Sequence, residues 1–223
     1  MKSEKRCRAK FSLEFFPPKT AEGKVKLINT REELPKLNPS YILITFGAGG
    51  SAQEGALEAI KEIKESGIDA ATRISCIRQT KEQTNTLQRY IDIGINRFVA
   101  PRGDISSGMG LSTTADFQYA NELVGCICKE TGDRFHIDVA AYPKFHPQAK
   151  SVIEDLEIFK RKVEAGAHSA ITQYFFNPDA YHRFVDDCEK MGLDIPIVPK
   201  VMPITNYKQL ARFSDLCGTH IPC

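Results

Sequence analysis

Residues 135–174 read FHIDVAAYPKFHPQAKSVIEDLEIFKRKVEAGAHSAITQY, and this stretch decides the fold. A strand-like run, Phe135–Ala141, is followed by an amphipathic stretch, Gln148–Ala165, and then by a second strand-like run, Ser169–Tyr174. The hydrophobic period therefore changes from two to 3.6 and back to two. Gly166 stands where a glycine commonly ends a helix. The stretch predicts a strand–helix–strand unit.

The same alternation extends along the chain in both directions. The other strand candidates are Phe11–Phe16, Tyr41–Phe46, Ala70–Cys76, Asn96–Ala100 and Ile195–Val201. The other helix candidates are Ala21–Leu34, Ala52–Ser66, Lys81–Ile93, Thr114–Thr131, Pro178–Met191 and Asn206–Leu216. Seven βα units in succession predict a protein of the α/β class.

Two α/β folds are built from such units, the open doubly wound sheet and the (β/α)8 barrel. No G-x-G-x-x-G motif opens the first helix, and polar residues follow nearly every strand, which favours the barrel. After the seventh unit the chain ends at Ile221-Pro222-Cys223. We therefore predict a (β/α)8 TIM-type barrel that lacks its eighth βα unit. It would form one catalytic domain over residues 1–223, truncated at its carboxyl terminus.

Composition argues against several classes of protein. Lys and Arg number 30 and Asp and Glu 28, a net charge of +2 without a basic stripe, so nucleic acid is not an expected partner. No apolar run reaches the roughly 20 residues of a membrane helix, and no secretory signal begins the chain. Seven cysteines without a CxxC motif fit reduced thiols, and we expect a cytoplasmic protein. The composition does not decide whether the chain forms a homo-oligomer.

The first strand candidate carries a carboxylate. With period two, Glu14 faces the barrel interior, and Pro17 and Pro18 end the strand directly after it. Desolvation among aromatic side chains would favour the neutral, proton-donating form of Glu14, which suits a general acid. The alternative is a structural glutamate bound to a neighbouring lysine or arginine.

Other strand ends carry further polar groups. The fourth strand is followed by Pro101-Arg102-Gly103-Asp104, for which a plain charged turn or an adhesion tripeptide are the alternatives. Tyr142 and His146 follow the fifth strand, and Asp155 and Lys162 lie two turns apart on one face of the next helix. Gln173 ends the sixth strand before an aromatic wall. The alternatives are surface residues for His146 and Lys162 and core packing for the aromatics.

The five histidines lack HxH and HExxH spacing, so we expect no metal site. No Ser-His-Asp order is recognisable either. The predicted strand ends bring together carboxylates, cations, amides and aromatic rings, a combination suited to a flat heteroaromatic ligand.

Seven motifs together give the chain a family resemblance. They are F-S-L-E-F-F-P-P-K-T around Glu14, I-T-F-G-A around Thr45, Arg102-Gly103-Asp104, A-A-Y-P-K-F-H-P-Q-A, D-L-x-x-F-K-R-K-V-x-A-G-A, I-T-Q-Y-F-F and M-P-I-T-N-Y. In this order they resemble the methylenetetrahydrofolate reductase family, in its bacterial-type catalytic domain. The resemblance covers essentially the whole chain.

The resemblance implies an FAD-containing barrel that reduces 5,10-methylenetetrahydrofolate to 5-methyltetrahydrofolate with NAD(P)H. It implies catalytic roles for Glu14, as general acid, and Asp104, beside flavin and pterin. It implies flavin contacts at Thr45, Arg102, Gly103, Asp104, Tyr142, His146, Asp155 and Lys162, and substrate contacts at Gln173 and Tyr207. In this interpretation hydride passes from nicotinamide to flavin and then to folate.

The chain departs from the family pattern at three positions. Arg73 stands where the family usually has His, Pro101 where it has Leu, and Lys200 where it has Gly. Two hypotheses follow. The first is a flavoenzyme of one-carbon metabolism and methionine biosynthesis, and the second is a truncated or degenerate homologue that at most binds flavin, folate or a partner.

Overall fold

The computed structural model describes residues 10–15, 20–45, 50–74, 86–101, 117, 119–144, 146, 149–217 and 221. Its strands are β1 (Leu13–Phe15), β2 (Ile42–Ile44), β3 (Ala70–Arg73), β4 (Arg97–Ala100), β5 (His136–Ala141), β6 (Ser169–Thr172) and β7 (Ile197–Val198). Its helices are α1 (Ala21–Leu37), α2 (Gly50–Glu65), α3 (Thr86–Asp92), α4 (Ala120–Thr131), α5 (Val152–Glu164), α6 (Pro178–Lys190) and α7 (Tyr207–Cys217). The predicted alternation of strands and helices is confirmed.

The order of the strands in the sheet is the order of the chain, from β1 to β7. β1, β2 and β3 pair in parallel, with Leu13 opposite Ile42, and β5, β6 and β7 pair in parallel, with Asp138 opposite Ser169. A doubly wound sheet reverses its strand order at a switch point, whereas a (β/α)8 barrel keeps chain order. The described residues therefore supply seven βα units of the TIM-type fold, and no eighth strand follows α7 among them.

The chain divides into two compact units. The first contains residues 1–73 and 85–98, and the second contains residues 74–84 and 99–223. In the first unit, α2 and α3 contribute Ile60, Ile63 and Tyr90 to an apolar core that also holds Ile42 and Ile44 of β2. Each such buried side chain stabilises the fold by about 1.5–3 kcal/mol. This core therefore holds β1–β3 in place.

The core of the second unit lies where β5 meets the helices. Alternate residues of β5, Ile137, Val139 and Ala141, are almost fully buried, as period two predicts for the helix-facing side of a strand. Gly166 ends α5 with a φ of +113°, and a Cβ at this position would lie 2.7 Å from the Cys128 Sγ atom. Glycine is therefore required here both by the backbone angle and by the space.

Several element boundaries differ from the sequence-based expectation. α4 begins at Ala120 rather than Thr114, and the Glu122 carboxylate accepts a hydrogen bond from the Tyr119 main-chain N–H at 3.1 Å just before the helix. α5 begins at Val152 because the Ser151 hydroxyl accepts from the Glu154 N–H and caps the helix.

Within the described ranges, no helix is both long and apolar enough to cross a bilayer.

Candidate active site

The first three strands each place one polar side chain on the same face of the sheet. Glu14 is opposite Leu43 in register, and Leu43 is opposite Ala71. Side chains two residues apart on a strand share a face, so Thr45 and Arg73, each two residues further along, lie on the face of Glu14. Strand register alone therefore brings together three residues that are far apart in sequence.

The contacts of these three side chains agree with the register. The Thr45 hydroxyl donates a hydrogen bond to Glu14 Oε1 at 2.6 Å, and Arg73 Nη2 lies 3.9 Å from the same oxygen. The Glu14 side chain is 15% exposed and that of Arg73 31% exposed, while Thr45 is buried. We call Glu14, Thr45 and Arg73 the Glu14 cluster.

The surroundings of Glu14 include the charge of Arg73. An aromatic rim would favour the neutral carboxyl, but a nearby guanidinium and a donated hydrogen bond both favour the carboxylate. The arrangement is the one that the alternative interpretation described, a glutamate next to an arginine. The general-acid role of Glu14 therefore stays a prediction. An ionised Glu14 carboxylate would have to take up a proton before it could donate one.

A second group of polar residues lies at the end of β5. The Tyr142 and His146 rings meet edge to face, with centroids 4.6 Å apart. The His146 main-chain N–H donates to Asp155 Oδ2 at 2.9 Å, and Lys162 Nζ donates to the main-chain oxygen of Ala140 at 2.8 Å. We call Tyr142, His146, Asp155 and Lys162 the Tyr142 cluster. The structure thus brings together four of the residues predicted to contact flavin.

Helix α5 positions the two charged members of the Tyr142 cluster. Asp155 and Lys162 are two turns apart, and both are 7% exposed, so the predicted common face is confirmed and is turned inward. Burial raises the pKa of the Asp155 carboxyl, while the His146 N–H and the charge of Lys162 act in the opposite direction. Burial is the largest of these effects, so ionised Asp155 depends on its neighbours.

The two residues predicted to contact substrate have different surroundings. The Gln173 main-chain N–H donates to the Ala141 oxygen at 2.7 Å, which extends the β5–β6 ladder and makes Gln173 and Tyr142 adjacent strand-end residues. Tyr207, the first residue of α7, is 67% exposed. In the described part of the chain, no hydrogen bond or ring contact joins Tyr207 to the Tyr142 cluster.

Three predicted site residues, Arg102, Gly103 and Asp104, lie outside the described residues. Pro101, directly before them, is partly exposed. At the end of β7, the Lys200 main-chain N–H donates to Thr172 Oγ1 at 2.9 Å, a bond that glycine could also make. The departure at Lys200 therefore leaves this main-chain contact intact.

Sequence reasoning missed a polar network in the strands of the second unit. Asp138 is fully buried and accepts a hydrogen bond from the Ser169 hydroxyl, and His136 Nε2 lies 2.7 Å from Ser169 Oγ and 3.5 Å from Asp138 Oδ1. A carboxylate in the middle of the apolar β5 run was the available signal.

Over the described ranges, no cluster of three or more His, Cys, Asp or Glu side chains could hold a metal ion.

Replacing Asp138 with Asn should lower the free energy of unfolding by about 1–3 kcal/mol, because the amide brings a buried N–H donor into a site built around an acceptor. Urea denaturation of the purified chain measures the change. Asp133→Asn is the matched control, since Asp133 is exposed and lies five residues away. Equal stabilities for the two variants would contradict the assigned role of the network.

Comparison with known proteins connects the chain to a family. The family model for methylenetetrahydrofolate reductase matches residues 2–223. The 5,10-methylenetetrahydrofolate reductase of Salmonella typhimurium is 43% identical over 213 residues, which are 95% of this chain and 70% of the relative. The enzyme of the same name from Escherichia coli K12 is 42% identical with the same coverage. Methylenetetrahydrofolate reductase (NADH) 1 of Zea mays is 36% identical over 228 residues, 96% of this chain and 38% of the relative.

Solved structures agree on the fold. A Clostridium thermocellum protein that binds two copies of 5-methyl-5,6,7,8-tetrahydrofolic acid superposes with a TM-score of 0.67 at 18% identity, covering 96% of this chain and 72% of that one. Phosphonopyruvate hydrolase superposes with a TM-score of 0.60 at 11% identity, covering 94% and 80%. At these identities the likeness supports the fold alone. The family match over nearly the whole sequence, together with relatives above 40% identity, shows that the chain belongs to the methylenetetrahydrofolate reductase family.

Proposed function

We propose that the chain reduces 5,10-methylenetetrahydrofolate to 5-methyltetrahydrofolate with electrons from NAD(P)H and with FAD as cofactor. The observation that carries this proposal is the family match over residues 2–223. The Glu14 cluster adds a partly buried carboxylate next to a hydroxyl and a guanidinium on one sheet face. Family membership supplies the reaction class, and the names of the relatives give the substrate.

The Tyr142 cluster is the described group that fits FAD. A partly exposed tyrosine ring suits one plane of a flavin, and the positive charge of Lys162 near the end of β5 suits its electron-rich edge. When bound, FAD would take hydride from the nicotinamide and pass it to the folate. His146 and Asp155 would hold the loop that presents Tyr142.

Further roles are assigned by family resemblance. Glu14 would donate the proton that opens the methylene bridge, and Asp104 would act beside flavin and pterin as the second catalytic carboxylate. Thr45, Arg102 and Gly103 would contact FAD, while Gln173 and Tyr207 would contact folate. The Thr45 hydroxyl already donates its hydrogen bond to Glu14. In a contact with FAD, the hydroxyl oxygen would therefore act as an acceptor.

The purified chain, supplied with FAD, tests the proposal. We expect a bound flavin with a visible absorption spectrum that NADH or NADPH bleaches anaerobically and that methylenetetrahydrofolate restores. Uptake of no FAD in calorimetry would overturn the flavoenzyme proposal. Bleaching without restoration by folate would instead support the second hypothesis, a homologue that binds flavin without completing the reaction.

The Tyr142→Ala variant sharpens this test. Loss of one aromatic contact should weaken FAD binding by about 2- to 10-fold, since such contacts contribute about 0.5–1.5 kcal/mol. Tyr119→Ala is the matched control, because Tyr119 is exposed and precedes α4. Equal FAD affinity in the two variants would exclude Tyr142 from the flavin site.

We place the reaction in the cytoplasm. Cys128 and Cys188 form no disulfide bond, as is usual for proteins of a reducing compartment.

A further inference from the structure

Two successive residues after β6 point to opposite sides of the sheet. The Gln173 main-chain bond to Ala141 continues the ladder by one residue, which places Gln173 next to Tyr142. Side chains alternate along a strand, so Gln173 lies on the face of Tyr142 and Tyr174 lies on the helix side. Tyr174 is buried, whereas Gln173 is partly exposed. This strand end therefore contributes one residue to the candidate site and the next residue to the core.

Tyr174 joins this strand end to α7. Its hydroxyl donates a hydrogen bond to Ser214 Oγ at 3.1 Å, and both residues are buried. Its ring stacks on that of Phe213, with centroids 5.9 Å apart and an angle of 20° between the ring planes. A buried serine hydroxyl is stable only with a hydrogen-bond partner, and α7 obtains this partner from the end of β6.

The α7 helix connects this contact to Tyr207. Tyr207, Leu210 and Ser214 are three and four residues apart, so they form one stripe along the helix. Leu210 and Ser214 are buried, whereas Tyr207, the first residue of α7, is exposed. Tyr207 and Ser214 are two helical turns apart, about 10 Å, and main-chain hydrogen bonds fix the helix over this length. The position of Tyr207 therefore depends on where Ser214 is held.

Tyr174 also fixes the side chain of Gln173. The Tyr174 main-chain N–H donates to Gln173 Oε1 at 3.2 Å. Only the oxygen of a side-chain amide accepts from an N–H, so this bond determines which end of the amide faces the main chain. The NH2 group is then the end that can donate to a ligand. Tyr174 thus contacts Gln173 directly and Tyr207 through α7.

We propose that Tyr174 is a positioning residue that sets the distance between Gln173 and Tyr207. Its hydroxyl holds α7 through Ser214, so that the Tyr207 ring meets a ligand whose ring accepts a hydrogen bond from the Gln173 amide. The ligand class is a flat heteroaromatic compound with hydrogen-bond acceptors on its ring, such as a reduced pterin. This proposal rests on the proposed function, because the roles of Gln173 and Tyr207 are assigned by family resemblance.

Amide hydrogen exchange tests the anchoring of α7 without any ligand. Tyr174→Phe removes the hydroxyl and keeps the ring, so the α7 amides, such as that of Leu210, should exchange about 2- to 10-fold faster. Ser214→Ala should have the same effect, because it removes the other partner of the same bond. Tyr181→Phe is the matched control, since it removes a hydroxyl that donates to the Ile197 main-chain oxygen, and it should leave exchange in α7 unchanged. Wild-type exchange rates for α7 in Tyr174→Phe would overturn the proposal.

A double-mutant cycle tests whether Tyr174 acts through Tyr207. Calorimetry with 5-methyltetrahydrofolate and the purified chain supplied with FAD should show binding about 2- to 10-fold weaker in Tyr174→Phe, and unchanged in Tyr181→Phe. In a Tyr207→Ala background, Tyr174→Phe should weaken binding no further, since the residue that it positions is absent. A purely structural role for Tyr174 would give the same loss in both backgrounds, and that result would contradict the proposal.

The two measurements separate failure of this proposal from failure of the proposed function. If the wild type gives no heat of folate binding, the proposed function fails and the pterin part of this proposal fails with it, whereas hydrogen exchange still decides whether Tyr174 anchors α7. If the wild type and Tyr174→Phe bind the folate equally well, the proposed function stands and the positioning role of Tyr174 is wrong.

Discussion

Replacing Glu14 with Gln is expected to slow reduction of methylenetetrahydrofolate by about 100- to 10,000-fold, the usual contribution of a general acid. Reduction of the flavin by NAD(P)H should continue at nearly the wild-type rate. Only the folate half-reaction requires a proton for ring opening, whereas the nicotinamide half-reaction requires correct orientation. The amide oxygen of Gln can still accept the hydrogen bond from Thr45, so the local geometry is retained.

Anaerobic stopped-flow measurements of the two half-reactions in isolation decide this prediction. Glu33→Gln is the matched control, because Glu33 is exposed on α1 and its pairing with Lys36 lies on the helix surface. Thermal unfolding of Glu14→Gln should accompany the kinetics, since the variant leaves Arg73 without its anion. Equal losses in both half-reactions would mean that Glu14 is structural, as the alternative interpretation holds.

The order of strands and helices could be predicted from the sequence because it follows from local pattern. Period two in β5 and period 3.6 in α5 are visible in residues 135–165, and each βα unit repeats them. Helix starts were less predictable. α4 and α5 begin where side chains of Glu122 and Ser151 bond to the main chain, and those bonds compete with helical extension in a way that periodicity does not register.

Residues of the candidate site could be placed together from the sequence where they lie on the same helix. Asp155 and Lys162 share α5, so their spacing of seven was enough to place them on one face. The Glu14 cluster depends instead on strand register between β1, β2 and β3, which the sequence does not display. Arg73 was visible as a departure from the family pattern, but its position beside Glu14 follows only from that register.

The Asp138 network shows the same dependence on register. Asp138 and Ser169 are 31 residues apart in sequence and directly opposite in the β5–β6 ladder. A polar residue in a buried strand is stable only with hydrogen-bond partners, so Asp138 alone predicts that partners exist. Which strand provides them depends on the pairing of β5 with β6.

Replacing Lys162 with Met should lower the free energy of unfolding by about 1.5–3 kcal/mol, the usual contribution of a hydrogen bond that a charged group donates. Lys162 is buried, its Nζ atom donates to the Ala140 oxygen, and its charge supports the buried Asp155 carboxylate. Lys160→Met is the matched control, because Lys160 pairs with Glu164 at the surface and should change stability by less than about 1 kcal/mol.

The pH dependence of this variant separates lost charge from lost packing. Burial raises the pKa of Asp155 above its unfolded value of 3.8, so the stability that the neutral form contributes is present below that value and is lost as pH rises through the folded pKa. The charge of Lys162 acts to lower this pKa. Its removal in Lys162→Met therefore raises the pKa of Asp155 further, and ionisation of Asp155 at high pH lowers the free energy of unfolding more than in the wild type. Urea denaturation should therefore give a larger penalty for Lys162→Met at pH 8 than at pH 5. Adding Asp155→Asn should remove that difference, because no carboxylate is then left to ionise. A penalty that is independent of pH, or one equal to that of Lys160→Met, would contradict the coupling between Asp155 and Lys162.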